Sequence, residues 1–406
     1  MPGPLAGFRI VDLTAVVAGP LATALLADQG ADVIKVERPS GDIQRHVGST
    51  RGDISGNFHV LNRGKRSLAV DLKQARGRAL VERLADTADA LVQNFRPGVM
   101  DRLGLGWDRL AARNPRLVYV SMSGFGPDGP HAGRRAYDPI IQARSGLASA
   151  QGRARGEAPE QIHQLLVDKI TAYVASQATT AALLARERTG RGQHVTVSML
   201  DSAIAFLWPD AGADSILLGD GVDHRPPIGS AGYLTEYRDG WATTMALSDA
   251  EWQGLCGALD LPQLARDSRF ATIAARQRHR DELRAALDAE AAPRARELTL
   301  DEAEARFEAA HVPFGRVNRV DDLPADPQVA AAAIFLESDH PTAGRLREAR
   351  PAPRFGATPA RAGGPAPRVG EHTRAILTEL GLAEEIADLL AAGVVTEPPT
   401  QGVKEA

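Results

Sequence analysis

The chain has 406 residues, enough for two domains or one large elaborated one. Apolar residues make up 44 % and charged residues 24 %, and the formal net charge of −4 argues against a general nucleic-acid binder. Cys256 is the only cysteine, which excludes an internal disulfide and a cysteine-cluster metal site.

The N-terminus "MPGPLAGFRIVDL" has no basic stretch followed by an apolar one, so a secretory signal is not expected and a cytoplasmic location is the default. "FRIVDL" (8–13) then reads as a strand, "PLATALLADQG" (20–30) as a helix and "DVIKVE" (32–37) as a strand. "SLAVDL" (67–72), "ALVQNF" (90–95) and "LVYVSMS" (117–123) are further strands, with helices at 75–88 and around 98–112. Apolar strands alternating with helices predict a mostly parallel sheet covered on both faces. A helix follows from Asp168 to about Arg188, stopped by "RTGRGQ", and "HVTVSML" (194–200) is another strand. The stretch Ile170 to Ala185 is too short and too polar for a membrane span and reads as a buried helix.

The pattern changes after Pro209. "YLTEYRDGWATTMAL" (233–247) predicts a hairpin turning at Asp239-Gly240, and Ser248 with Glu251 forms a capping box that opens a helix. Helical sequence continues to about 310. The segment 340–369, rich in Pro, Gly, Ala and Arg, reads as an extended linker, and "EHTRAILTELGL" (371–382) as a last helix.

The first βαβ unit ends in Glu37, an acid placed to hold a ribose, but its loop is Ala18-Gly19-Pro20 and lacks G-x-G-x-x-G. "SGFGPDGP" (123–130) is not followed by Gly-Lys-Ser/Thr and is no P-loop. No histidine pair has metal-ligand spacing, so no metal is expected. Arg38, Arg63, Lys65, Arg66 and Lys73 flank predicted strand ends, where an α/β sheet binds ligands and a phosphorylated ligand would use them. Two lone acids, Asp138 in "YDPIIQA" and Asp168 in "LLVDKITAY", are each consistent with a helix cap.

Taken in order, "VDLTAVVAGPLATALLADQGADVIKVERPSGD", "NRGKRSLAVDLK", "NFRPGVMDRLGLGWDRL", "NPRLVYVSMSGFGPDGP", "YDPIIQA", "RTGRGQHVTVSMLDS", "HVPFGRVNRVDDLPADPQV" and "GEHTRAILTELGL" resemble the class III CoA-transferase (CaiB/BaiF) family, the group of formyl-CoA transferase, carnitine CoA-transferase and α-methylacyl-CoA racemase. The resemblance implies an α/β fold with a large parallel-sheet, Rossmann-like domain built from both chain ends and a smaller inserted α+β domain. The corresponding boundaries are 1–208 for the first part of the large domain, 225–335 for the small domain and 336–406 for a linker and return segment. It also implies a homodimer of interlocked rings.

By the same resemblance Asp168 falls at the catalytic aspartate, with Tyr137 facing the same site. Arg38, Val70, Asp71, Leu72, Lys73, Asn94, Phe95, Arg96, Arg102, Arg135, Ala136 and Asp138 fall on positions that contact coenzyme A or line the thioester end. Val17, Ala18, Gly229 and Gly232 fall around the acyl group. Val17 stands where formyl-CoA transferase has glutamine, which speaks against oxalate, and only "PPIGSAG" (226–232) represents that enzyme's glycine loop. The implied reaction moves CoA from an acyl-CoA to a carboxylic acid, through an aspartyl mixed anhydride and an aspartyl-CoA thioester. Coenzyme A thioester enters as a substrate, and no cofactor, membrane or nucleic acid is needed. The alternative is an acyl-CoA racemase or isomerase, which needs two acid/base groups across an α-carbon. In that branch a histidine stands where this chain has Tyr137.

Overall fold

The computed structural model describes residues 1–153, 158–224 and 233–398. The chain divides into two compact units, Met1–Phe206 with Ala332–Ala406, and Leu207–Ala331.

In the larger unit the apolar runs form six parallel strands: β1 (Arg9–Leu13), β2 (Asp32–Glu37), β3 (Arg66–Val70), β4 (Ala90–Gln93), β5 (Val118–Ser123) and β6 (His194–Ser198). A seventh strand, β7 (Val395–Thr396), pairs antiparallel with β3. The order across the sheet is β7-β3-β2-β1-β4-β5-β6. This is the doubly wound order, and it reverses direction between β1 and β4. Alternate strand residues point to opposite faces. Val11, Leu13, Ile34, Val36 and Leu91 pack against one set of helices, which includes Ala75–Asp86, Trp107–Arg113, Thr373–Glu379 and Ile386–Ala391. Ile10, Val33, Ala90 and Val92 pack on the other face against α1 (Ala18–Asp28) and the long helix Leu166–Thr189.

Several sequence expectations change here. The helix around 98–112 is two short ones, Val99–Arg102 and Trp107–Arg113. Gly104, left-handed at φ +72°, stops the first, and Gly106 caps the second. The first third of the expected linker, 340–349, belongs to an antiparallel hairpin, Phe335–His340 with Gly344–Ala349. The long helix 166–189 is buried on one face only: Tyr173 and Leu184 are 58 % and 54 % exposed.

The second unit holds a three-stranded antiparallel sheet with Gly240–Thr244 between Tyr233–Tyr237 and Phe314–Arg316. Its hairpin turns at Arg238-Asp239, one residue before the expected position, since Gly240 already pairs with Tyr237. The Ser248/Glu251 capping box is present at helix Asp249–Ala258. Trp252, Phe270 and Phe307 form the centre of this unit's own core.

Beneath the carboxyl end of β1 lies a buried ionic cluster. Lys65 Nζ donates to Asp12 Oδ2 (2.9 Å), Pro20 O (2.8 Å) and Asn62 Oδ1 (3.0 Å). Lys35 Nζ donates to Thr14 O (3.0 Å) and Asp42 Oδ2 (3.2 Å). Burial pushes against the charge on Asp12, but Lys65 and Lys35 hold its carboxyl down at about 2. The same burial lowers Lys65 to about 8. Removing one partner of such a pair leaves an uncompensated buried charge, a loss of roughly 3–5 kcal/mol. Lys65→Met is therefore expected to lower the urea midpoint of the larger unit strongly, and Asp12→Asn/Lys65→Met to recover part of the loss. Equal midpoints for wild type and Lys65→Met in urea titrations at pH 7 would contradict this role.

Candidate active site

In a doubly wound sheet, ligands bind outside the carboxyl ends of the strands, where the order reverses. Here the loop after β1 leads to α1 on one face, and the segment after β4 leads to Val99–Arg102 on the other. The two are tied at their origin. Asn94 Oδ1 accepts Ala15 N–H (2.9 Å) and Asn94 Nδ2 donates to Ala15 O (2.7 Å). The β1 loop is held on every side. Thr14 donates through N (2.9 Å) and Oγ1 (2.5 Å) to Asp12 Oδ1, and Val16 N–H points to Asp42 Oδ1 at 3.4 Å. Val16 adopts φ +73°, a left-handed conformation that a β-branched residue rarely takes. Such strain persists only where surroundings over-determine it, and it concentrates at functional sites. Val17, which caps α1, is buried at this point.

The positions expected to contact coenzyme A lie on this one edge. Arg38 follows β2, Asp71 to Lys73 follow β3 after its last residue Val70, and Asn94 to Arg96 follow β4. Arg102 ends the short helix beyond. Arg38, Lys73, Arg96 and Arg102 are exposed, and Phe95 packs partly into the core. Two of these residues do other work as well. Asn94 spends its amide on Ala15, and Asp71 Oδ1 accepts Lys73 N–H (3.0 Å), shaping the turn.

The rest of the expected basic cluster is absent from the edge. Lys65 is fully buried against Asp12. Arg63 pairs with Asp28 and Glu348, and Arg66 with Asp32 and Glu379. Arg66 and Asp32 begin their strands, so that pair sits at the opposite end of the sheet. Glu37 is equally committed, accepting from Arg45, Ser67 and the Asp42 backbone, which removes the ribose-binding possibility.

Beyond β5, Ala136 packs on Gly124, where a Cβ would approach to 2.2 Å. This seats the segment Arg135 to Asp138 over the end of β5. Tyr137 caps α2 (Asp138–Arg144) and is 65 % exposed; Arg135 is exposed too. Asp138 is buried, and its Oδ2 accepts the backbone N–H of Asp168 at 2.9 Å. The two lone acids of the sequence are thus direct neighbours. Asp168 is not the cap of its helix, α3 (Leu166–Thr189). Leu165 holds that position without a side-chain bond, and Asp168 lies in the first turn. Because α3 leads into parallel β6, its N-terminus is at the carboxyl edge of the sheet. His163 is exposed five positions earlier. Gly229 and Gly232 lie outside the described residues.

Asp168 is half-buried, and its carboxylate oxygens accept no hydrogen bond among the described residues. A helix N-terminus favours an anion. Burial and the adjacent negative charge of Asp138 prevail, pushing the Asp168 carboxyl up to about 7. Replacing Asp138 by Asn removes the charge and keeps an acceptor for Asp168 N–H. The Asp168 titration is expected to move to lower pH in that variant. Carboxyl-labelled aspartate, with the Asp168 resonance assigned through Asp168→Asn, gives the midpoint directly by NMR. A midpoint unchanged between wild type and Asp138→Asn would rule out the electrostatic coupling.

CoA-transferase family III matches residues 5–373. The chain is 34 % identical to the succinyl-CoA:glutarate CoA-transferase of Mus musculus, over 98 % of this chain and 92 % of that one. It is 35 % identical to the succinate–glutarate CoA-transferase of Agrobacterium fabrum, over 95 % and 97 %. Among solved structures, a CaiB/BaiF family protein from Brucella suis superposes with a TM-score of 0.78 at 34 % identity, covering 94 % of this chain and all of that one. The chain belongs to CoA-transferase family III, and it is an enzyme of that family.

Proposed function

We propose that this enzyme transfers CoA between acids through covalent intermediates on Asp168. The observation that carries the reading is the Asp168 carboxylate: half-buried, free of hydrogen bonds on its oxygens among the described residues, and at the carboxyl edge of the sheet in the first turn of α3. A carboxylate attacks a thioester carbonyl without a separate base once it is ionised. Attack on acyl-CoA breaks the C–S bond, giving an acyl–aspartyl mixed anhydride and CoA thiolate. The thiolate attacks the aspartyl carbonyl, giving aspartyl-CoA and the donor acid as its carboxylate. The acceptor carboxylate then attacks aspartyl-CoA and releases thiolate, which attacks the new acyl group and frees Asp168. Each step keeps the thioester's activation in a covalent bond. Water must be kept out, because it would hydrolyse the anhydride.

The acids we propose are dicarboxylates. The names of the mouse and Agrobacterium relatives favour succinyl-CoA as donor and a C5 diacid as acceptor. Val17 gives the loop an apolar side chain, and Arg134 and Arg135 are exposed cations that pair with no acid among the described residues. We place the enzyme in the cytoplasm as a homodimer. Among the described residues no helix is long and apolar enough to cross a membrane. The apolar outer face of α3, with Tyr173, Val174 and Leu184, is suited to a partner protomer.

Two experiments test the reading. Arg38→Ala and Lys73→Ala are expected to raise KM for acyl-CoA several-fold with a smaller effect on kcat, the signature of lost uniform binding. Unchanged KM in both would move the nucleotide end of CoA elsewhere. Asp168→Asn is expected to fold normally and lose essentially all transfer, measured as new acyl-CoA by mass spectrometry from succinyl-CoA with a panel of acids. Hydroxylamine added to the wild type with acyl-CoA should leave a hydroxamate on the peptide containing Asp168. Retained transfer in Asp168→Asn, or acceptor-independent deuterium exchange at the α-carbon of a 2-methylacyl-CoA, would overturn it in favour of another nucleophile or of racemase chemistry.

A further inference from the structure

The mechanism above uses the Asp168 side chain but leaves open what holds it. Its backbone N–H is bound by Asp138, and among the described residues one side chain donates to Asp138 in turn. Gln142 Nε2 donates to Asp138 Oδ1 at 2.6 Å. The same nitrogen lies 3.1 Å from Ile162 O and 3.2 Å from Gln164 O. Gln142 Oε1 accepts Ile162 N–H at 2.9 Å. Gln142 is 1 % exposed, as is Asp138. One carboxamide therefore joins the first turn of α2 to the strand of chain that delivers the first turn of α3.

We propose that Gln142 is the positioning residue of the active site, a clamp that sets where the Asp168 carboxylate stands by fixing Asp138 and the peptide at 162–164 together. The inference rests on Asp168 as the nucleophile. Three features separate it from ordinary burial of a polar side chain. Among the described residues the partners of the Gln142 carboxamide are Asp138, which accepts the Asp168 N–H, and the peptide at 162–164, which leads into α3. The Leu165 cap gives α3 no side-chain bond, and two other side-chain ties at the helix approach, Lys169 Nζ to Gln164 Oε1 (3.3 Å) and Gln161 Nε2 to Pro139 O (3.1 Å), are solvent-exposed, whereas Gln142 is buried. Asp138 has one oxygen for each task, Oδ1 toward Gln142 and Oδ2 toward Asp168 N–H, so loss of the first bond frees the carboxylate that makes the second.

Positioning has a kinetic signature distinct from packing. Misplacing a reacting group by about 1 Å is enough to lower the rate by roughly a hundredfold. Coenzyme A itself is proposed to sit on Arg38, Lys73 and the β4 loop, none of which Gln142 touches. Gln142→Met keeps the length and volume of the side chain and removes both hydrogen-bonding ends. It is expected to bind a non-hydrolysable acyl-CoA thioether within about threefold of wild type. In a single turnover its release of CoA thiol, which reports attack by Asp168, should be slowed by roughly ten- to a hundredfold per folded protomer. Gln142→Ala should show the same division between binding and rate with a larger fall in melting temperature. Asp168→Asn is measured alongside. If Gln142→Met acylates at the wild-type rate while Asp168→Asn is inactive, the clamp is wrong and the nucleophile stands. If thioether affinity falls in step with the rate, Gln142 is structural and the clamp is again wrong. If Asp168→Asn stays active, the nucleophile assignment fails first and takes the clamp with it.

Discussion

The end of β1 carries two lysines and two carboxylates in a space from which water is excluded, and the larger unit is arranged around that fact. Lys65, Asp12 and Lys35 are fully buried, and Asp42 nearly so. Isolated charges there would be strongly unfavourable, so each finds an opposite charge and neutral partners as well. Beside the side chains of Asn62, Thr14 and Thr23, those neutral partners include backbone: Pro20 O, Thr14 O, and the N–H groups of Thr14, Val16 and Gln44. The cluster therefore does more than neutralise itself. It fixes the path of the chain from β1 into α1, including the left-handed Val16, at the place where the sheet reverses its order.

Asp168 is treated in the opposite way. Asp12 receives Lys65, Thr14 and Thr23, whereas the oxygens of Asp168 receive none of the described donors and face a neighbouring acid. Between the ordinary aspartate value and about 7 the folded chain holds this proton and the unfolded chain does not. Folded-state stability from this group thus falls as pH rises through that window, the reverse of a salt-bridged acid. A half-buried carboxylate with no described donor on its oxygens is the kind of local inconsistency expected of a reacting group.

Most of the strands were legible because they are short, nearly continuous apolar runs covered on both faces, while β6, HVTVS, alternates apolar and polar residues. β7 was not, because its two residues become a strand only by pairing with β3, more than three hundred positions earlier. The basic cluster shows the same limit at the site. Sequence places Arg38, Arg63, Lys65, Arg66 and Lys73 close together, but their fates depend on distant partners. Arg66 meets Asp32 and Glu379, 34 and 313 residues away, and Arg63 meets Glu348. Only Arg38 and Lys73 remain at the ligand edge. Asp168 was singled out by resemblance and its setting was not, since the environment that raises it comes from Asp138, 30 residues earlier, and from burial. The strained Val16 carried no signal, as valine gives no hint of a positive φ.

The elevated proton affinity of Asp168 bears on how the two mixed anhydrides of the proposed reaction collapse. An aspartate with an ordinary value is fully ionised at neutral pH; one near 7 is about half ionised there, and the loss is about twofold. In return the ionised form is more basic and a stronger nucleophile toward the thioester. The difference matters more in the mixed anhydride, which has two carbonyls for the CoA thiolate to attack. Attack at the acyl carbonyl expels Asp168 and returns the substrate. Attack at the aspartyl carbonyl expels the donor acid, a carboxylate of ordinary acidity. The less basic carboxylate leaves more readily, so a raised Asp168 favours collapse of either mixed anhydride toward aspartyl-CoA: forward from the donor anhydride, and against the last step, in which Asp168 must leave. In the proposed reaction, burial beside Asp138 thus tunes both the reactivity of Asp168 and the collapse of its anhydrides, at the cost of a group that weakens the fold above neutral pH.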